Sequence, residues 1–136
     1  MPQFPPHTAL VVEPDPLSQE RLRQILHRAG IARVLAAASA QGASITLAEE
    51  LVDLVLTRWK LPDAQGLPLL RTLRGRGRNG RVPVVLLDEG QPPESRVAAV
   101  KWGIAGRLPD PPTLDALTAV LRTVGDDLRR RAAARP

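Results

Sequence analysis

The chain has no cysteine among its 136 residues, which removes disulfides, thiolate zinc centres and cysteine nucleophiles together. Tyrosine is missing too, and with one phenylalanine and two tryptophans the aromatic content is 2%. The stacking platforms used on single-stranded nucleic acid are therefore nearly absent. No apolar run approaches the roughly 20 residues that span a bilayer as a helix, and the opening MPQFPPHT lacks the basic and apolar regions of a signal peptide. These absences lead to the expectation of a cytoplasmic protein with no membrane association. Lysine is scarce as well: Lys60 and Lys101 are the only two among 19 basic residues, so 17 are arginines. A net charge of +5 invites a nucleic-acid reading. The arginine bias beside abundant alanine and proline reads instead as a compositional habit, and nucleic acid is an unlikely partner on these cues.

What the chain does have is a regular alternation of short apolar runs and amphipathic stretches, in a length that suits one domain with one core. TALVVE (8–13) reads as a buried strand. LSQERLRQILHRAG (17–30) places Leu22, Ile25, Leu26 and Ala29 at helical spacing and stops on Gly30. RVLAAA (33–38) is a weaker strand, and SAQGASITLAEEL (39–51) a helix in which Gly42, Ile45 and Thr46 lower the propensity. DLVLT (53–57) is a third strand, followed by leucines at helical spacing over 67–75. RVPVVLLD (81–88) is a fourth strand, with a short helix over 92–103 behind it. AGRLPD (105–110) is a brief fifth strand, and 111–131 a closing helix with Leu114, Leu117, Val120, Leu121 and Val124 on one stripe.

Strand and helix thus alternate five times with short connections. Near-continuous apolar strands in that rhythm imply an α/β fold whose parallel sheet is covered on both faces. A doubly wound, flavodoxin-like (βα)5 arrangement in three layers, with strand order 2-1-3-4-5, fits this series. In such folds the ligand crevice lies outside the carboxyl ends of the strands, beside the first and third. Residues 13–16, 58–60, 88–89 and 109–110 are expected to meet there.

From about residue 8 to residue 124 the chain resembles the CheY-like receiver domain of bacterial two-component response regulators. The likeness rests on ALVVEPDPLSQERLRQIL, DLVLTRWKLPDAQGLPLLRTLR, VPVVLLDEG and GIAGRLPDPPTLDAL, and most of all on LPDAQG beside the third strand and the Leu-Pro-x-Pro pattern at 108–111. It implies a leader over 1–7, a receiver-like domain over 8–125, and a basic tail or helix extension over 126–136. A working receiver accepts a phosphoryl group from a histidine kinase on one aspartate at the end of the third strand. An acid pair after the first strand holds Mg²⁺, a Thr or Ser ends the fourth, and a Lys precedes the proline after the fifth.

Laid on this chain, the phosphoacceptor position is Arg58 and the acid pair falls on Glu13 and Pro14, with Asp15 next. The hydroxyl position is Asp88, the lysine position Asp110, and the aromatic switch position Arg107. Only Glu13 keeps the family's chemistry. A guanidinium is protonated at any relevant pH and has no lone pair with which to attack phosphorus. Loss of carboxylates to Pro14 and Arg58 leaves a poor shell for Mg²⁺, so no metal or other cofactor is expected. Yet the formal charge survives. Three aspartates and a lysine carry −2, and so do Glu13, Asp88, Asp110 and Arg58. Arg58 therefore either pins two or three of these carboxylates, Asp15 being a further partner, or points its head into solvent over the loop with Trp59 packing beside its stem.

Other signals are weaker. GRGRNG (75–80) matches G-x-G-x-x-G but follows a helix and precedes a strand, the reverse of the dinucleotide context. His7 and His27 have no metal-ligand spacing near them. Asp63 and Asp88 are conceivable substitute phosphoacceptors but lack an electrophile to activate attack. Trp102 is either extra packing under the fourth helix or an exposed anchor. The surface of the fourth helix, fifth strand and closing helix, which receivers commonly use to pair, carries Glu94, Arg96, Lys101, Arg107, Asp115 and Arg122. That mixture of signs can form reciprocal contacts in a two-fold dimer. The resemblance thus implies a pseudo-receiver of a two-component or phosphorelay pathway, without catalytic activity, serving as a phosphorylation-independent protein-binding or dimerisation module. Its rivals are a small-molecule sensor and a receiver phosphorylated at a non-standard acid.

Overall fold

The computed structural model describes residues 6–65, 67–73, 81–88, 90 and 103–134. Its elements, in chain order, are β1 (Thr8–Val12), α1 (Pro16–Arg28), β2 (Arg33–Ala37), α2 (Ala40–Glu49), β3 (Leu54–Arg58), α3 (Leu67–Leu73), β4 (Val84–Asp88), β5 (Ile104–Pro109) and α4 (Leu114–Ala133). The expected helix over 92–103, except its closing Gly103, and the 75–80 loop lie outside the described residues, and Glu94, Arg96, Lys101 and Trp102 lie there with them.

All strand pairs are parallel, and the order is β2-β1-β3-β4-β5. Because successive side chains of a strand point to opposite faces, each apolar run feeds two cores. Ala9, Val11, Leu54, Leu56, Val85, Leu87 and Leu108 bury against Leu22 and Leu26 of α1 and Leu117 and Val124 of α4. Leu10, Val12, Val55 and Val84 bury on the other face with Ala40 and Ala43 of α2 and Leu73 of α3. The chain runs from β1 through α1 to the edge strand β2, then back through α2 on the opposite face to β3. That reversal leaves a crevice at the carboxyl ends of β1 and β3.

Several element ends differ from their expected positions, each for a local reason. β3 runs through Arg58, and Asp53 instead ties the strand starts together, its Oδ2 accepting from the backbone N–H of His7 (3.1 Å) and Thr8 (3.0 Å). β4 begins at Val84, after Pro83, whose carbonyl accepts from Val55 N at 2.9 Å. β5 covers 104–109, so Asp110 stands just beyond it. The closing helix starts at Leu114 because Pro111 and Pro112 occupy its approach and Thr113 caps it, accepting from Ala116 N at 3.1 Å. It then runs without a break through Ala133.

β5 shifts register against β4 between Val84 and Val85, and Gly106 follows that irregularity opposite Val85. A Cβ at Gly106 would lie 2.9 Å from Val120 Cγ1. The glycine therefore lets α4 approach the sheet edge closely. Gly106→Ala should cost about 1–3 kcal/mol through overpacking, read as a lower urea midpoint with an unchanged slope. An unaltered midpoint would show that α4 shifts freely to admit a methyl group.

Candidate functional site

The crevice is built from three strand ends. Glu13 follows β1 directly; its N–H donates to Ala37 O at 2.9 Å and its carbonyl accepts from Gln19 Nε2 at 3.0 Å, so the backbone is fixed on both sides. Its side chain is only 1% exposed. Arg58, the last residue of β3, extends across the crevice. Its Nε donates to Glu13 Oε1 at 2.5 Å and its Nη1 to Asp110 Oδ2 at 2.8 Å. Glu13 Oε2 accepts from Asp15 N at 3.3 Å. Both oxygens of the buried carboxylate are thus satisfied, as a charge this deep requires.

Burial by itself lowers the pKa of the Arg58 guanidinium. The hydrogen bonds to Asp110 and Glu13 outweigh that effect and raise it above the ordinary arginine value. The cation is permanent. Two opposite charges about 4 Å apart at an effective dielectric of about 20 attract by roughly 4 kcal/mol, and desolvation of both partners offsets most of it. What the arrangement supplies is order: one planar fork joins the ends of β1, β3 and β5.

The remaining expected residues divide. Pro14 is exposed at the bend. Asp15 is occupied as the cap of α1, its Oδ2 accepting from Ser18 N at 2.9 Å; that backbone bond and a second from the Ser18 hydroxyl hold its carboxyl below the usual range, with the charges of Arg21 and Arg58 as lesser causes. Asp88 ends β4 half-buried, one oxygen accepting from Gly90 N at 3.1 Å. Arg107 is half-buried within β5, and Asp115 and Arg122 are exposed on α4. Trp59 is half-buried and packs with Ile104 against Leu86. His7 and His27 are exposed, their Nδ1 atoms 3.1 Å from Thr8 Oγ1 and 3.0 Å from Ile31 O.

Asp63 has a use that sequence reading missed. Its two carboxylate oxygens accept from Ala40 N and Gln41 N, both at 2.9 Å, and so tie the loop after β3 to the first turn of α2. The spare amides of a helix start are natural partners for an acid. Ser18, Arg21, Leu22, Ile25, Pro111 and Pro112 have no site role in the sequence reading, yet the structure brings them to the edge of the crevice beside Arg58.

The donor set does not suit Mg²⁺, which requires several hard oxygens in a near-octahedral shell. Arg58 engages an oxygen of both Glu13 and Asp110, and Pro14 offers no carboxylate. Among the described residues no group of three or more acid or histidine side chains converges as a metal site.

The family model of the response regulator receiver domain matches residues 9–122. The chain belongs to that family. Among curated proteins it is similar to the TorCAD operon transcriptional regulatory protein TorR of Escherichia coli, 37% identical over 79 residues, 58% of this chain and 34% of that protein. It is also similar to the phosphate regulon transcriptional regulatory protein PhoB of Rhizobium meliloti, 36% identical over 61 residues, 45% of this chain and 27% of that protein. The matching stretch is thus about a third or less of these relatives' length. Among solved structures, the receiver domain of a signal transduction histidine kinase from Syntrophus aciditrophicus superposes with a TM-score of 0.76 at 23% identity, covering 91% of this chain and 93% of that one. The receiver domain of sensor histidine kinase PA1611 from Pseudomonas aeruginosa PAO1, solved with a magnesium ion coordinated in its active site cleft, gives 0.75 at 25% identity, covering 88% and 98%.

Two measurements probe the site. Arg58→Met, which strands the Glu13 carboxylate, should cost about 3–5 kcal/mol. Adding Glu13→Gln should recover much of that loss, giving a coupling above about 1 kcal/mol in a double-mutant cycle by urea denaturation. Additive single effects would show that the pair contributes nothing. For Asp63, the bonds from Gln41 N and Ala40 N hold the folded-state pKa below its ordinary value of 3.8. Its contribution is therefore present in full above that value and is lost as pH falls through the lower folded value. The stability advantage of the wild type over Asp63→Asn should be constant near neutrality and shrink below about pH 4. An advantage independent of pH throughout the acid limb would contradict the assignment.

Proposed function

We propose that the chain is a receiver domain in which a standing ion-pair network replaces the phosphoryl switch, and that it acts as a phosphorylation-independent module for protein interaction or dimerisation. The observation that carries this reading is the single Arg58 fork held by Glu13 and Asp110. By the family resemblance that arginine stands where the phosphoacceptor aspartate would be. A cation there supplies no nucleophile. Asp88 and Asp110, at the positions of the hydroxyl and the lysine, would repel a phosphoryl oxygen instead of binding it. On this reading the domain has no catalytic activity and needs no cofactor.

The partner is a protein of a two-component pathway in the cytoplasm. Among the described residues no helix is long and apolar enough to cross a membrane. The contact surface we assign includes Arg107, Asp115 and Arg122 of β5 and α4, whose mixed signs suit a reciprocal two-fold contact.

The test is incubation with acetyl phosphate and Mg²⁺ followed by intact mass measurement, with sedimentation of the same samples. No phosphoryl adduct and an association state unaffected by the phosphodonor are expected. Arg122→Glu should weaken self-association without altering the fold. A stable adduct that disappears in Asp88→Asn or Asp63→Asn would overturn the reading in favour of phosphorylation at a non-standard acid.

A further inference from the structure

Three large apolar side chains stand exposed among the described residues: Leu17 at 59%, Ile45 at 53% and Leu51 at 60%. They fall on two helices that cannot meet within one molecule. Leu17 lies in the first turn of α1, which buries Leu22 and Leu26 on one face of the sheet. Ile45 lies on α2, which buries Ala40 and Ala43 on the other face, and Leu51 follows the C-cap of that helix.

Each helix carries an exposed stripe at helical spacing. On α1 it is Leu17, Arg21, Gln24 and Arg28; on α2 it is Gln41, Ser44, Ile45 and Ala48, with Glu49 beside them. The two stripes differ in charge. Asp15 offsets part of the Arg21 charge, but Arg28 stands in the last turn, away from it, and Glu20 is already paired with Arg23 at 3.4 Å. The α1 stripe is therefore basic. No lysine or arginine occurs between Arg33 and Arg58, so the α2 stripe holds no cation. Acids stand at its two ends, Glu49 in the last turn and the exposed Asp63 on the amides of Ala40 and Gln41 in the first. In a chain of net charge +5, that is a surface on which a basic face of another copy can rest without repulsion.

The spacings match. Arg21 and Arg28 are two turns apart, about 10 Å, and Glu49 and Gln41, where Asp63 is bound, are about 12 Å apart. Laid antiparallel on α2 of a second copy, α1 brings Arg21 to Glu49 and Arg28 to Asp63. Leu17, one turn before Arg21, then falls on Leu51. Ile45 lies midway, against the alkyl stems of the two arginines, and the helix dipoles oppose each other favourably.

We infer that copies of this chain associate head to tail through these two faces, α1 of one molecule on α2 of the next. The contact is heterologous, so every pair keeps one free face of each kind and assembly continues past the dimer. Two short helices bury less than the roughly 1,200 Å² of a standard interface, which makes the association weak, with a Kd of about 0.1–1 mM. Arg107, Asp115 and Arg122 take no part in it, and it stands apart from the β5 and α4 surface.

The experiment is sedimentation velocity of the whole chain at concentrations rising into the millimolar range, for the wild type, Leu17→Glu, Ile45→Lys and Arg122→Glu. The wild type should form species larger than a dimer, and fewer of them as salt is raised. Leu17→Glu breaks the α1 face, and Ile45→Lys sets a third cation against the two arginines. Both sites are exposed, so both variants should keep the wild-type urea midpoint. Each alone should associate about tenfold more weakly. Their equimolar mixture retains one sound face of each kind, and it should form a 1:1 pair of wild-type affinity and grow no further. Arg122→Glu should still grow beyond the dimer, which separates this contact from the β5 and α4 surface. A wild type that stays monomeric or stops at a dimer, single variants that associate like the wild type, a mixture no more associated than its parts, or growth lost in Arg122→Glu would each overturn the inference.

Discussion

A carboxylate that is 1% exposed, Glu13, lies in contact with the guanidinium of Arg58, and the shape of the crevice depends on that contact. A lone ionised carboxylate at such depth costs several kcal/mol, whereas a paired and fully hydrogen-bonded one is tolerated. Arg58 provides the pairing through Nε, and Asp15 N–H satisfies the second oxygen. The Nη1 of the same arginine holds Asp110, which also fixes where the proline turn begins and therefore where the edge of the crevice beside α1 lies. One residue at the end of β3 thus sets the relation between the ends of β1, β3 and β5.

The fold tolerates such a substitution because its stability comes from elsewhere. Both faces of the sheet are filled by alternating Leu, Val and Ala side chains from the strands, closed by α1 and α4 on one side and α2 and α3 on the other. None of these contacts involves a crevice group. Charges at the strand ends can therefore change sign while the layers persist, provided each buried charge keeps a partner. On the proposed reading, that separation between an apolar scaffold and a polar rim is what makes a loss of phosphoryl chemistry compatible with an intact fold.

The same separation explains what the sequence made legible. Short near-continuous apolar runs and leucine stripes at helical spacing are local signals, and they located the strands and most helices; the strand order was one the series fits and the sheet pairing fixes. Element ends were less legible. Thr113 is a standard cap, but the preceding Pro-Pro looked like a helix start. α2 read as weak because Gly42, Ile45 and Thr46 depress propensity; its first turn is completed by Ser39, which accepts from Gly42 N, and by Asp63, 22 and 23 residues away, which accepts from Gln41 N and Ala40 N. A cap supplied from another loop has no local signature. The partners of Arg58 were ambiguous for a related reason: Glu13 is 45 residues away and Asp110 52. Charge type narrowed the choice, and only the approach of three strand ends decided it.

The choice of arginine carries a last consequence. A lysine at the end of β3 would neutralise one acid as a point charge on a flexible stem, leaving the second to water or a metal ion. The guanidinium presents Nε and Nη1 along different edges of one rigid plane, so it holds Glu13 and Asp110 at the same time and fixes the angle between them. A divalent ion in a carboxylate cluster does the same work, but it exchanges with solvent and depends on its concentration. A covalently attached cation does neither. On the proposed reading, the crevice is held in one state by its own sequence, and regulation must reach the domain through surfaces away from the Glu13–Arg58–Asp110 bridge.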